Sequence, residues 1–427
     1  MTVIALFALL GLTGTPSAAD DWPQWRGPDR DGKWHETGIV RELPDEIPLK
    51  WSAPISGGYS APAVAGGRVF VSDRVAEEGL ERVLAFDQET GRALWTHSWS
   101  ADYAGIAYPG GPRAAVQVKG GRTVVLGAVG QLVVLDAGTG EPIWERDLCK
   151  AYGVELPEWG FGAAPVFEGD LLIVPTGGGE GGTLIAFELD SGKVVWRALS
   201  DEGNYASPVI VDQAGTRVVV LWTATRVVGV DAKDGGVLWE YPFVPKNRAF
   251  GIATPVVAGD RLFVSGFYDG CRLLQLAGDE PAVEELWRRR GPNERTTDGL
   301  HCLISTPLVR GDHLYGVDSY GELRCLALAD GSRLWEDRSA VPRSRWATIH
   351  MVENGDDVWM LNDRGDLIPG RLSRPGFEEL ARGHLIDPTR GQLERRDGTV
   401  WSHPAFAGRC VFARNDEVLV CASLAAP

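Results

Sequence analysis

Ala85-Phe86-Asp87-Gln88-Glu89-Thr90-Gly91-Arg92-Ala93-Leu94-Trp95 reads as the end of an apolar strand, a turn headed by aspartate, and a second strand closed by tryptophan. Thr-Gly supplies the positive φ of a tight hairpin, and the Asp carboxylate bonds the amides of the turn. The phrase recurs as Asp136, Thr139-Gly140 and Trp144; as Ser191-Gly192 and Trp196; and as Asp231, Gly235 and Trp239. Two weaker copies close at Trp287 and Trp335, and Leu380 stands where a seventh tryptophan would be. Ahead of the first full copy, Leu49-Lys50-Trp51 is an isolated closing element. These eight positions lie 43 to 52 residues apart.

Six of the eight units also share an opening, and Ile349-His350 opens the degenerate seventh. A small residue and proline (Ala61-Pro62, Ala164-Pro165, Ser207-Pro208, Thr254-Pro255, Thr306-Pro307), or His403-Pro404, precedes an apolar strand and a Gly-Asp or Gly-Gly turn. Four short strands per period of this length are the signature of a propeller blade. The last unit ends at Val418–Cys421 without a closing strand, and Leu49–Trp51 supplies one. The expected fold is therefore an all-β, eight-bladed propeller over residues 49–427, its N-terminal strand completing the last blade and removing the open sheet edge.

Composition agrees: 54 glycines and 16 tryptophans stand against three methionines. The net charge of −16 argues against a nucleic-acid binder or a partner of anionic lipid. Met1–Ala19 carries no charge, and its apolar run Val3–Leu12 is shorter than the roughly 20 residues that cross a bilayer. With the small residues that follow, it reads as a secretory leader. The expected order is then a signal peptide over 1–19, an extension over 20–48 packed along one face, and a monomeric, exported propeller with no transmembrane segment. None of the six cysteines forms a CxxC or adjacent pair, so buried thiols are expected rather than a redox or metal motif.

The closing phrase resembles the repeat of PQQ-type propellers, the group that holds quinoprotein alcohol dehydrogenases and the BamB-like assembly lipoproteins. The resemblance covers about residues 49–421, and Trp22-Pro23-Gln24-Trp25-Arg26-Gly27-Pro28-Asp29-Arg30-Asp31-Gly32 looks like the opening phrase of an exported BamB-like branch. What it implies for fold is specific. For activity it implies two things. A BamB-like chain is a non-catalytic binding or scaffold protein of the periplasm or envelope with a protein or peptide partner. A quinoprotein holds PQQ beside calcium, above a tryptophan floor and a disulfide of adjacent cysteines. This chain has no adjacent cysteines, so no cofactor is expected; the quinoprotein-like oxidoreductase stands as the alternative.

Gly177–Gly182 fits a dinucleotide pattern by letter, but the strand after it makes it a flexible hairpin loop. Asp29-Arg30-Asp31-Gly32 reads as a turn with aspartate capping amides rather than a calcium loop. The candidate site comes from the segments that lead from one blade to the next and cross a face toward the axis. They place Tyr59, Arg113, Trp159, Phe161, Tyr205, Arg248, His301, Arg345, Trp346 and His403 just ahead of the innermost strands. The expectation is a partly cationic, aromatic-lined mouth that takes a ligand or peptide. Asp102, Glu158 and Asp298 are the carboxylates near that mouth for a glycosidase-like reading.

Overall fold

Blade 2 shows how the repeat folds. Gln117–Lys119, Arg122–Leu126, Gln131–Asp136 and Pro142–Asp147 pair antiparallel in sequence order, from the axis outward. This is a computed structural model, and it describes residues 21–246, 251–393 and 397–427. Among them eight such sheets follow one another around an axis. The eighth contains Ala405–Ala407, Cys410–Arg414 and Val418–Ser423, and its outer strand is Leu49–Pro54, with Trp51 opposite Cys421. The expected ring closure is therefore present. The leader over residues 1–19 lies outside the described residues. Among those described, no helix is long and apolar enough to cross a membrane.

Two features explain why tryptophan and glycine recur. In six blades the third and fourth strands slip by one residue immediately beside the tryptophan, as between Val134 and Leu135 opposite Trp144. Such a bulge re-aims the closing side chain, and here the ring swings onto the next blade. The Trp144 Nε1–H donates to Leu189 O at 2.7 Å, and the Trp95 and Trp287 indoles reach Ala137 O and Leu328 O in the same way. The turn glycine of the next blade lies flat beneath the ring: a Cβ on Gly140 would stand 2.5 Å from Trp95, and one on Gly192 2.6 Å from Trp144. Glycine is needed there for contact as well as for its φ of +74° or +66°. Trp239 departs from the pattern. It donates to Gln213 Oε1, and the Gln213 amide passes the link on to Ala277 O and Ala282 O.

Blade 7 closes without tryptophan. Its fourth strand, Phe377–Glu379, stops one residue before Leu380, and Phe377 packs against the core between blades 6 and 7. Gly383–His384 then returns to pair with Asp366–Leu367. All six cysteines are free thiols, five of them buried. The Gly177–Gly182 hairpin is tightly packed rather than loose. Glu155 N–H donates to Gly178 O and Gly203 N–H to Gly177 O, and a Cβ on Gly177 would fall 1.7 Å from Glu155 O.

The extension does more than lie along a face. Trp22 pairs with Val64, and Val118 N–H donates to Pro23 O, so the chain enters across the inner strands of blades 1 and 2. Residues 22–32 then occupy the axis itself. Trp34 buries among Trp359 and Phe406, and Val40 and Ile47 hydrogen-bond to blades 8 and 7 on the way out to Leu49.

Candidate functional site

The segments between blades and the hairpins between second and third strands open on one face. Together they shape a cup of about 360 Å³ over the axis. Six of the expected residues line it: Tyr59, Arg113, Trp159, Tyr205, Trp346 and His403. Its floor is Trp25, whose Nε1–H donates to Thr254 Oγ1 at 2.9 Å and whose ring lies 5.2 Å from that of His403. The extension thus closes the central channel from behind.

The rings are arranged rather than scattered. Trp159 stacks on Tyr205 at 4.9 Å and 28°, and the Trp159 N–H donates to the Tyr205 hydroxyl. Tyr108 and Trp346 come from segments on opposite sides of the ring, yet stand edge to face at 6.4 Å. Both have left-handed backbones, with φ of 57° and 69°. Non-glycine residues rarely adopt that conformation, and it concentrates at functional positions. Tyr59 donates its hydroxyl to Gln392 O, and burial pushes its pKa up to about 12.

Three expected site residues belong elsewhere. Phe161 is core, packed with Val124, Trp144 and Leu172 between blades 2 and 3. His301 is fully buried: Nδ1–H donates to Phe267 O at 2.9 Å and Nε2 accepts from the Gly291 N–H. Burial holds it neutral, with its pKa lowered. Arg345 pairs with Glu294 at 2.8 Å and lies over the Trp346 ring, buttressing the cup wall from outside. Arg248 lies outside the described residues.

The cup is also not cationic among the described residues. Arg113 lines it, but its guanidinium donates to the carbonyls of Gly111, Ala107 and Tyr108. The charge is spent shaping the loop that presents Tyr108. Burial lowers its pKa, and its positive face lies 5.0 Å from the Tyr59 ring. A sequence shows an arginine but not whether backbone carbonyls already occupy it. Trp25, Phe267 and Tyr268 also line the cup, outside the segments between blades. Two of them sit in the second-to-third-strand hairpin of blade 5, a class of loop that opens on the same face as the segments between blades. Of the three carboxylates, only Glu158 lines the cup. Asp102 caps Ala104 N–H, and Asp298 pairs with Arg289, so no pair spans a glycosidic bond.

His350 and His403 meet at the floor with ring centroids 4.9 Å apart. His350 Nε2–H donates to Trp401 O and His403 Nδ1–H to Pro404 O, so each is a neutral tautomer with its other nitrogen an acceptor. Burial lowers the His350 pKa to about 4 and that of His403 well below its ordinary value. The unfolded chain takes up a proton near pH ~6.5 that the folded cup refuses. Stability is therefore complete above that pH and falls as the pH drops toward 4, by about 3 kcal/mol for His350. In His350→Gln, the stability lost between pH 7 and 4, measured by urea denaturation, should shrink by that amount. An unchanged loss would overturn the assignment.

A family model described as "Outer membrane protein assembly factor BamB" matches residues 48–116 and 81–337. The BamB of Shewanella oneidensis is 28% identical over 255 residues, covering 56% of this chain and 60% of that protein. The quinohemoprotein alcohol dehydrogenase of Comamonas testosteroni is 26% identical over 203 residues, covering 46% and 27%. The chain thus spans about three fifths of the BamB relative and about a quarter of the dehydrogenase. The BamB structure from Moraxella catarrhalis superposes with a TM-score of 0.60 at 18% identity, covering 88% of this chain and 97% of that one, which shows the shared fold.

Likeness to dehydrogenases raises the question of a calcium-bound quinone. Calcium takes about six to eight oxygen ligands, carboxylates prominent among them. The described part of the cup presents one carboxylate, Glu158. Among the described residues, the donor set does not fit.

Proposed function

The chain belongs to the family of the outer membrane protein assembly factor BamB, and on that premise we propose that it is a non-catalytic binding propeller of the cell envelope, holding an extended, aromatic-bearing segment of a partner protein in its axial cup. The observation that carries this reading is the cup wall. Trp25, Tyr59, Tyr108, Trp159, Tyr205 and Trp346 face one cavity with their polar tips committed or at the rim, while Arg113 is tied to the backbone. Aromatic walls reward stacking and apolar burial, whereas among the described residues no free cation lines the cup to favour an anionic ligand. Segments of outer-membrane barrels alternate apolar and polar residues and end in aromatic girdles, a chemistry that suits such a wall.

The test follows tryptophan emission while the full chain is titrated with a strand-length peptide of alternating aromatic and polar residues. Trp25, Trp159, Trp346 and Trp401 line the cup and report occupancy. Saturable change is expected, weakened at least about tenfold in Trp159→Ala, a loss of about 1.4 kcal/mol. Binding that ignores Trp159→Ala and Trp346→Ala would move the partner off the cup. Saturable binding of PQQ that depends on calcium would replace this reading with the quinoprotein-like one.

A further inference from the structure

The inner strands run from the cup to a second cavity at the opposite end of the axis. In blade 2, Ala115 faces the cup while Val118 and Lys119 line the far cavity; in blade 4, Ser207 and Val209 divide in the same way. The far cavity holds about 480 Å³ and lies on the other side of the Trp22–Gly32 plug. Five cations line it, Arg26, Arg30, Lys33, Lys119 and Arg217, in a chain of net charge −16.

Three of the five are already engaged. Lys33 pairs with Asp31 at 2.9 Å, Arg217 with Glu168 at 2.8 Å, and Lys119 donates to Gly169 O. Of the acidic residues at the cavity, Glu353 pairs with Arg310 at 2.6 Å, Asp31 is held by Lys33, and Asp29 stands at the exposed rim. Arg26 and Arg30 make no ion pair among the described residues. Arg30 is held over the axis by three blades, donating to Gln117 Oε1, Pro165 O and Pro208 O. Arg26 donates to Asp31 O, beneath Gly32, where a Cβ would fall 2.6 Å from its Nη2.

Two further observations distinguish this pair from the other three cations at the cavity. The Nε–H of each is buried without an acceptor. That group is one prong of the side-on fork that clamps carboxylate or phosphate. Both residues also have left-handed backbones, with φ of 62° and 60°, although neither is glycine. Burial depresses both guanidinium groups, Arg26 to about 10 and Arg30 to about 9. Two cations with left-handed backbones at the end of a channel form a focused positive spot on an acidic protein.

We propose that this far axial cavity binds an oxyanion, a carboxylate or phosphate group, between Arg26 and Arg30. The site is separate from the cup, and its ligand supplies the acceptors that the two Nε–H groups lack.

The experiment titrates the full chain with inorganic phosphate and, in parallel, with succinate, at constant ionic strength set by chloride. It follows the Nε–H resonances of 15N-arginine-labelled protein. Saturable shifts of the Arg26 and Arg30 signals are expected with at least one anion, and the tighter one identifies the group. Calorimetry on Arg30→Lys, which keeps the charge but loses the fork, should show affinity reduced about tenfold or more. Trp159→Ala, across the plug in the cup, should bind as the wild type does. The Arg26 and Arg30 resonances come from the unmutated chain, so the result stands even if Arg30→Lys folds poorly. Absence of saturable shifts with both anions, or shifts confined to other arginines, would overturn the proposal. A cup that fails to bind peptide would leave it untouched.

Discussion

Trp144→Ala is expected to lower unfolding stability by about 3–5 kcal/mol, the usual range for emptying a buried tryptophan site. The ring is 7% exposed, tilts against Phe187 at 5.6 Å, and carries the indole bond to Leu189 O. All of these contacts cross from blade 2 to blade 3, so the substitution removes packing between blades as well as within one. The other side of the contact should respond too. Gly192→Ala places a methyl 2.6 Å from the indole at a φ of +66°, combining a left-handed backbone penalty with overpacking, together about 2–3 kcal/mol. Trp335, half-buried and bonded to Ser373 O at an exposed position, should lose about half as much on the same truncation. Equilibrium denaturation of the three variants checks the order. Equal losses for Trp144→Ala and Trp335→Ala would mean that the indole contact between blades is not what holds the repeat together.

Arg414→Met should be nearly as damaging, at about 3 kcal/mol or more, although it replaces a charge by an apolar chain of similar length. Arg414 is fully buried and donates to Ser56 O, Ser72 O and Asn415 O, tying blade 8 to blade 1 at the seam. Ser72 O keeps the Ser60 hydroxyl, but Ser56 O and Asn415 O lose this donor inside the protein, and unsatisfied buried groups are expensive. Asp73, whose charge supports the arginine, remains occupied by Arg82 at 2.6 Å. Urea denaturation measures the loss, and limited proteolysis locates it. Cleavage first appearing around residues 55–60 or 415–418 is expected; unchanged stability would show the seam to be held by strand pairing alone.

The fold was legible because the elements that define it are local and repeated. A turn aspartate, a glycine under an indole and the indole itself recur along the chain, so the spacing of the closing positions counts the blades even where Leu380 replaces the tryptophan. The site was legible only in part. Tyr59, Trp159 and Tyr205 could be placed because segments that cross a propeller face must point their large side chains somewhere near the axis. Arg113 and Arg345 read from the sequence as ligand-facing cations because nothing in a sequence reveals the three carbonyls or the carboxylate that hold them. His301 sits one segment from the cup yet turns inward, a choice made by the Phe267 carbonyl and the Gly291 amide. The axial plug was hidden because its partners, Val64, Val118 and Thr254, come from three different blades.

Chains are made and threaded N-terminus first, and that gives the closure of blade 8 by Leu49–Pro54 a consequence in time. Blades 1 to 7 each draw on one contiguous stretch and can form as it emerges. Leu49–Pro54 emerges before all of them and must wait for Val418–Ser423, which emerges after. Pairings so distant in sequence form slowly, and unpaired strands are vulnerable while they wait. A molecule interrupted anywhere before residue 418 therefore keeps an unclasped strand at one end and an uncovered blade face at the other. The ring acts as a gauge of its own progress: only a chain that has reached Ser423 covers both the waiting strand and the open blade face.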